Sequence, residues 1–188
     1  METSYLKLLS PLETLESTYY NKIINYKPKI LGPKIYYLDW TFIFSQIDKW
    51  KKINNSPLIL DVGCGNSMFH PFLESYFYQG IIGLDRNNSS KDYEHLKNNN
   101  HVMVNITDIC CDFIDEGEEL FKDKIDIIFW NSAIEHNSLD KMKQAINVSM
   151  KCLKKGGAFI STWAYGKKTF WNKEINATIL SENDAKEL

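Results

Sequence analysis

The segment that most constrains the fold is Leu58–Ser67, in which a short apolar run stops at a Gly-x-Gly turn. Leu58–Val62 has the character of a buried strand, and Gly63 and Gly65 follow it at once. Glycine tolerates positive φ and lets a ligand approach the backbone, so we expect a tight strand-to-helix turn with outward-facing N–H groups. This order is typical of a nucleotide-type cofactor site, although an ordinary strand-to-helix turn can contain the same glycines.

The turn departs from the dinucleotide-binding pattern. A pyrophosphate loop has a third glycine or an alanine three residues after the second glycine, and Met68 stands there. NAD and FAD are therefore disfavoured as cofactors. A second apolar run ends in Asp85, about 20 residues after the glycines, which is the spacing at which a carboxylate reaches a ribose. An acid at this place can also form a turn or cap a helix.

Further apolar runs continue an alternation of strands and helices. His101–Asn105 predicts a third strand, Ile125–Trp130 a fourth and Ala158–Trp163 a fifth. Between the last two, Ser138 can cap a helix that extends to about Leu153. The order predicts an α/β fold, Rossmann-like and doubly wound, with a mainly parallel sheet and helices on both faces. Its ligand would sit at the carboxyl ends of the strands.

These motifs, in this order, resemble the class I S-adenosylmethionine (SAM)-dependent methyltransferases. Asp61–Gly65 is similar to their first motif and Asp85 to the acid of their second. Asn131–Asn137 is similar to the loop after the fourth strand in the small-molecule methyltransferases of ubiquinone and menaquinone biosynthesis. The resemblance covers roughly residues 56–163 and implies SAM as the cofactor.

The resemblance assigns a cofactor site to the carboxyl edge of the sheet. Asp85 would bind the ribose hydroxyls and Asp108 the adenine amino group, with Asn105 as the alternative adenine ligand. Asp61 would orient the glycine turn, and Asn131 would line the methionine end. We therefore expect cofactor contacts from Asp61, Gly63, Cys64, Gly65, Asp85, Arg86, Asp108, Ile109 and Asn131.

The loop after the fourth strand contains the candidate catalytic residues. Methyl transfer is an in-line displacement, and most of the catalysis can come from holding the acceptor and the methyl group close and aligned. An oxygen or nitrogen acceptor that must lose a proton needs a general base. His136 is the candidate for this role, with Glu135 orienting it or the substrate. The alternative for His136 is a surface or helix-capping histidine.

Length and composition predict one globular domain of 188 residues, 44% of them hydrophobic. We expect residues 1–55 to form a helical lid segment, with an aromatic stripe at helical spacing from Tyr36 to Ile47. Residues 56–188 would form the SAM-binding core. Related domains add a helix and an antiparallel strand pair after the fifth strand, but only 25 residues follow Trp163. We therefore expect a truncated or minimal domain that lacks this pair.

Charge and motif content indicate the partners. No stretch is apolar enough to span a bilayer and no signal pattern precedes the domain, so we expect a cytoplasmic protein. The four cysteines lack metal-ligand spacing, so reduced thiols and no metal are expected. No arginine-rich patch favours nucleic acid. A homodimer is compatible with the sequence.

The acceptor is expected to be a small molecule. Seven lysines lie between Lys22 and Lys52, and they are either solvated surface or an attractive field for an anionic metabolite. Two other functions remain open from the sequence. One is a protein-lysine methyltransferase, and the other is a SAM-binding module without transferase activity.

Overall fold

A computed structural model describes residues 18–24, 36–65, 69–77, 81–87 and 107–188. The helices are α1 (Thr18–Ile24), α2 (Tyr36–Lys51), α3 (Phe69–Phe77), α4 (Phe113–Phe121), α5 (Leu139–Cys152) and α6 (Glu182–Lys186), with a 3₁₀ turn at Ile134–His136. The strands are β1 (Ile59–Val62), β2 (Ile81–Asp85), β3 (Thr107–Cys110), β4 (Ile125–Asn131), β5 (Leu153–Thr162), β6 (Phe170–Asn172) and β7 (Ala177–Ile179). None of the described helices combines the length and the apolar character that crossing a membrane would require.

Five strands form the central sheet in the order β3-β2-β1-β4-β5, and every neighbouring pair is parallel. The central strand β1 is buried along its whole length, which explains its apolar sequence. From β1 the chain first adds strands on one side of the sheet, and from β4 it adds them on the other side. Ligands of such sheets bind at this switch point between β1 and β4. The predicted doubly wound α/β fold is confirmed.

Each face of the sheet packs against its own set of helices. Ile43, Phe44 and Ile47 of α2 are buried with Phe129 of β4 on one face. Trp130, the next residue of β4, belongs to the core on the other face, with side chains of α4 and α5. Successive strand residues point to opposite sides, so β4 takes part in both cores. The helix of the expected lid segment is thus packed on the sheet.

The third and fifth strands differ from the predicted ones. The expected third strand, His101–Asn105, lies outside the described residues, and Thr107–Cys110 forms β3. Asp108 therefore lies within a strand, with its backbone paired with Gly83, and not in the loop after the strand. The strand β5 begins at Leu153, directly after α5, whereas the apolar run predicted a strand that begins at Ala158.

The chain does form an antiparallel strand pair near its carboxyl end. The strands β6 and β7 pair with each other through Phe170–Asn172 and Ala177–Ile179. They make a separate two-stranded sheet, and the central sheet ends at β5. The expectation that the pair is lacking is therefore wrong for the chain, although the pair does not extend the central sheet. Ser181 caps α6, and its Oγ accepts a hydrogen bond from the Asp184 N–H at 3.3 Å.

Candidate cofactor and active site

The glycine turn after β1 is held by the end of β2. The N–H groups of Gly63 and Cys64 donate to the Leu84 carbonyl at 2.7 and 3.2 Å. The Gly65 N–H donates to Asp85 Oδ2 at 3.1 Å. The N–H groups that we expected to face outward are therefore engaged within the protein. The turn is a rigid link between two neighbouring strands.

Two observations explain why glycine stands at position 63. Its φ is +70°, which a residue with a side chain rarely adopts. In addition, a Cβ at this position would lie 2.6 Å from Ala133 Cβ, well inside van der Waals contact. The loop after β4 therefore packs directly on the glycine turn, and only a hydrogen atom fits between them.

Asp61 forms a buried pair with a histidine that the sequence analysis did not select. Asp61 Oδ2 lies 3.4 Å from His70 Nδ1, and the two residues are 2% and 0% exposed. The contact joins β1 to α3 across the glycine turn, consistent with Asp61 orienting that turn. An acid in a strand and a histidine in the next helix have no standard sequence signature, so this pair could not be identified from the sequence.

A cavity of about 360 Å³ opens at the carboxyl edge of the sheet, within the usual range of ligand pockets of roughly 300–1,000 Å³. Of the expected site residues, it brings together Gly63, Asp85, Arg86 and His136. Among the described residues, the wall does not include Asp61, Cys64, Gly65, Glu135, Ile109 or Asn131. Asp108 lies two residues before the end of β3, and its side chain is outside the described part of the structure.

Asp112 lines this cavity beside Asp85 and was missed by the sequence analysis. It is the N-cap of α4: its Oδ1 accepts from the Ile114 N–H at 3.0 Å. Its own N–H donates to Glu116 Oε1 at 3.0 Å. An aspartate ahead of an apolar helix with acids in its first turn is a recognisable start signal. The sequence analysis ended its third strand at Asn105, before β3, and considered Asp108 and Asn105 as adenine ligands.

His136 is oriented by the β6–β7 turn. Its Nδ1 lies 2.7 Å from the Asn176 carbonyl oxygen. A carbonyl can only accept, so Nδ1 carries the hydrogen and the neutral ring has its lone pair on Nε2. Thr178 of β7 also donates to the Asn137 carbonyl at 2.8 Å. The short strand pair therefore holds the loop that carries His136 on the cavity wall.

Glu135 points to a different environment from that of His136. Its side chain is buried, and burial together with the nearby charge of Asp39 raises the pKa of Glu135 to about 8. Backbone hydrogen bonds from Glu135 itself and Ala164 act in the opposite direction. The described hydrogen bonds include none between Glu135 and His136. An orienting role of Glu135 on His136 has no contact to support it in this structure.

Asp39 of α2 reaches the same loop. Its Oδ2 accepts a hydrogen bond from Ser132 Oγ at 2.8 Å. Burial raises the pKa of Asp39, and the bond from Ser132 opposes this. The Ser132 N–H donates to Thr162 Oγ1 at 3.1 Å, and its φ of +48° is unusual for a residue other than glycine. Such backbone strain is common at functional sites.

A family comparison decides the class of the protein. The model of a methyltransferase domain matches residues 53–186, well over half of the chain. The chain belongs to this methyltransferase family. It is a class I SAM-dependent methyltransferase, and S-adenosylmethionine is its cofactor. A search of curated proteins found no match.

Solved structures share the fold of this methyltransferase. The PH0226 protein of Pyrococcus horikoshii OT3 is 17% identical, with a TM-score of 0.60 over 91% of this chain and 87% of its own. The 1,6-didemethyltoxoflavin-N1-methyltransferase of Burkholderia thailandensis, solved with S-adenosylhomocysteine (SAH), is 15% identical, with a TM-score of 0.58 over 98% and 79%. The SAM-bound magnesium protoporphyrin IX methyltransferase of Synechocystis PCC 6803 is 13% identical, with a TM-score of 0.52 over 93% and 80%.

The cavity of the methyltransferase fits the chemistry of its cofactor. Asp85 and Asp112 offer carboxylate oxygens, which accept hydrogen bonds from hydroxyl and amino groups. Leu84, Phe113 and Ile114 give the wall an apolar part against which a flat ring can pack. A nucleoside needs this combination of a few acceptors on an apolar wall.

Proposed function

We propose that this methyltransferase transfers the methyl group of SAM to an oxygen or nitrogen atom of a small metabolite bound beside the loop after β4. The single observation that carries the proposal is the placement of His136. It shares a cavity wall with Asp85, and its Nδ1 is tied to Asn176, which leaves Nε2 as a proton acceptor.

Within the cavity, Asp85 is the proposed ribose ligand. Its oxygens already accept from the N–H groups of Gly65 and Asn87, at 3.1 and 2.9 Å. A carboxylate has about four lone-pair sites, so it can bind ribose hydroxyls in addition. Arg86, exposed at the mouth of the cavity, would lie over the same part of the cofactor.

For the adenine amino group we propose Asp112, with Asp108 retained as the alternative. One oxygen of Asp112 is engaged by the Ile114 N–H, and the residue lines the cavity next to Asp85. The half-buried Ile109 would support this part of the site from β3. Substitution of each acid by asparagine separates the two assignments, because only the adenine ligand should change the preference for adenine over hypoxanthine nucleosides.

The methionine end of SAM is placed by the glycine turn and the end of β4. Gly63, Cys64 and Gly65 form the turn, and the buried Asp61 supports it through His70. Asn131 follows Trp130 at the carboxyl end of β4, next to the turn. We propose that this end of the site also receives the acceptor, with α2 of the N-terminal segment covering it.

Isothermal calorimetry with SAM, SAH and NAD tests the cofactor, and release of SAH in an acceptor screen tests the transfer. We expect SAM and SAH to bind and NAD to give no heat. The screen should include oxygen and nitrogen acceptors of small metabolites together with a lysine-containing peptide. Cofactor binding with no turnover on any small molecule, or turnover on the peptide alone, would refute the proposed acceptor class.

A further inference from the structure

A polar cluster lies on the α2 side of the loop after β4 and meets the wall of the cofactor cavity at Ser132. It consists of Asp39, Asn131, Ser132 and Glu135, and we call it the acidic pocket. We infer that the acidic pocket binds a protonated amino group of the methyl acceptor, so that the acceptor is an amine and not an anion. The inference rests on the proposed function, because it names the substrate class of the same site.

The pocket contains more hydrogen-bond acceptors than donors. The Ser132 hydroxyl donates its hydrogen to Asp39, so it offers none to a second group. In the part of the chain that the structure describes, Glu135 Oε2 and Asn131 Oδ1 are buried without a hydrogen-bond partner. Asn131 lies two residues after Phe129, so it faces the same side of the sheet, towards α2. When Glu135 is ionised, both of these atoms are hydrogen-bond acceptors, so a ligand with several donors would satisfy them.

An ammonium group meets this need better than a neutral donor does. Two carboxyl groups lie in the pocket, and both have a pKa raised by burial. A hydroxyl or a water molecule would supply hydrogens but no positive charge. An ammonium carries up to three N–H donors and a full charge, so it satisfies the acceptors and stabilises the ionised carboxylates together. An anionic acceptor would instead place a further negative group beside two carboxyl groups and would disfavour their ionisation.

The lysines at the carboxyl end of α2 do not fill this role. Lys49, Lys51 and Lys52 lie at or just after the last turn of α2, whereas Asp39 lies in its first turn. From Asp39 to Lys51 the helix rises about 18 Å, at 1.5 Å per residue. The Lys51 Nζ lies 4.6 Å from the centre of the Phe77 ring, and Lys52 pairs with Asp48 at 3.8 Å. These cations therefore lie far from the pocket and give no support to an anionic acceptor there.

The test uses methylammonium as the probe and tetramethylammonium as a matched control with the same charge but without N–H donors. The protein is first saturated with SAH, so that the amino group of the cofactor is already in place. Thermal unfolding is then followed by circular dichroism. At a methylammonium concentration tenfold above its dissociation constant, we expect the midpoint to rise by about 3–5 °C. Tetramethylammonium should cause no more than the rise seen with sodium chloride.

The variants Asp39→Asn and Glu135→Gln should lose the response to methylammonium. Glu118→Gln, which changes an exposed acid on α4, should keep it. The inference is overturned if methylammonium causes no rise, if tetramethylammonium causes an equal one, or if both pocket variants respond like the wild type.

A second arm distinguishes the acceptor from the cofactor, which also carries an amino group. Calorimetry should show that Asp39→Asn and Glu135→Gln bind SAH within about twofold of the wild type. A tenfold loss would mean that the pocket binds the cofactor, and the inference would fail. If the wild type binds no SAH, the proposed function fails instead. The methylammonium titration without SAH then still tests the pocket.

Discussion

The carboxylate of Asp85, at the end of β2, accepts a hydrogen bond from the backbone N–H of Gly65 in the turn after β1, at 3.1 Å. One acid therefore serves two purposes in the proposed site. It fixes the conformation of the glycine turn, and it faces the cavity where we place the ribose. A loss of this side chain should affect both the binding of the cofactor and the order of the turn.

Asp85→Ala should weaken SAH binding by at least about tenfold. Each charge-assisted hydrogen bond to the ribose is worth about 1.5–3 kcal/mol, and 1.4 kcal/mol corresponds to a factor of ten. Calorimetry measures the affinity, with the exposed Asp140→Ala on α5 as the control for a lost surface charge. An affinity for SAH equal to that of the wild type would remove Asp85 from the cofactor site.

Gly63→Ala should destabilise the protein more than Gly156→Ala does. Both glycines have positive φ, of +70° and +83°. The new methyl group meets Ala133 at 2.6 Å in the first case and open space in the second. We expect a loss of about 1–2 kcal/mol from backbone strain alone, and about 1–3 kcal/mol more from overpacking at position 63. Urea unfolding gives both values, and equal losses would contradict the close packing of the two loops.

His136→Asn should lower the rate of methyl transfer and leave SAH affinity within about twofold of the wild type. The asparagine amide can still donate to the Asn176 carbonyl but has no basic nitrogen. Loss of a general base typically lowers the rate by about 10²–10⁴-fold. In His136→Ala, added imidazole should restore part of the rate, which a merely structural role would not allow. A variant with the wild-type rate would rule out His136 as the base.

The stability of the methyltransferase should fall as the pH rises from 4.5 to about 8. The lower limit is the ordinary pKa of a glutamate, and the upper limit is the raised pKa of Glu135 in the folded protein. The folded protein keeps the proton on Glu135 over this range, whereas the unfolded chain has released it. Folding therefore favours the protonated form of Glu135. The stability that this preference contributes is lost as the pH rises towards 8. At about 1.4 kcal/mol per pKa unit, the change amounts to a few kcal/mol. Asp39, whose pKa is also raised, adds a change of the same sign.

Glu135→Gln should flatten this dependence, as measured by urea unfolding at several pH values within the range. Glu118→Gln is the control, because a hydrogen bond from Lys151 lowers the pKa of Glu118 and confines its effect to more acidic solution. If Glu135→Gln leaves the slope unchanged, the buried carboxyl group is not protonated as described.

The strands β1, β2 and β4 could be predicted because each of them has a continuous apolar run that ends in a turn residue. The second predicted strand is confirmed to end at Asp85, and Ile125–Trp130 is confirmed to within one residue. The third strand could not be placed, because Thr107–Cys110 has no such run. Its polar sequence also concealed Asp112 as the residue at the cavity.

Contacts between distant parts of the chain could not be predicted at all. Asp39 and Ser132 are 93 residues apart, and His136 and Asn176 are 40 apart. A local sequence pattern indicates whether a segment tends to form a helix or a strand. It does not indicate which distant loop that segment contacts in the folded protein. The strand pair β6–β7 illustrates this, since three-residue strands leave almost no periodic signal.

Trp130 gives the molecule a built-in optical reporter. Its indole lines the cavity, is only 5% exposed, and is fixed by a hydrogen bond from Nε1 to Ser149 Oγ at 3.3 Å and by an edge contact with Phe113. A nucleoside that enters the cavity must change the surroundings of this ring without moving it. In a variant that keeps Trp130 as its only tryptophan, fluorescence emission would therefore follow the arrival of the cofactor in real time, with no label attached.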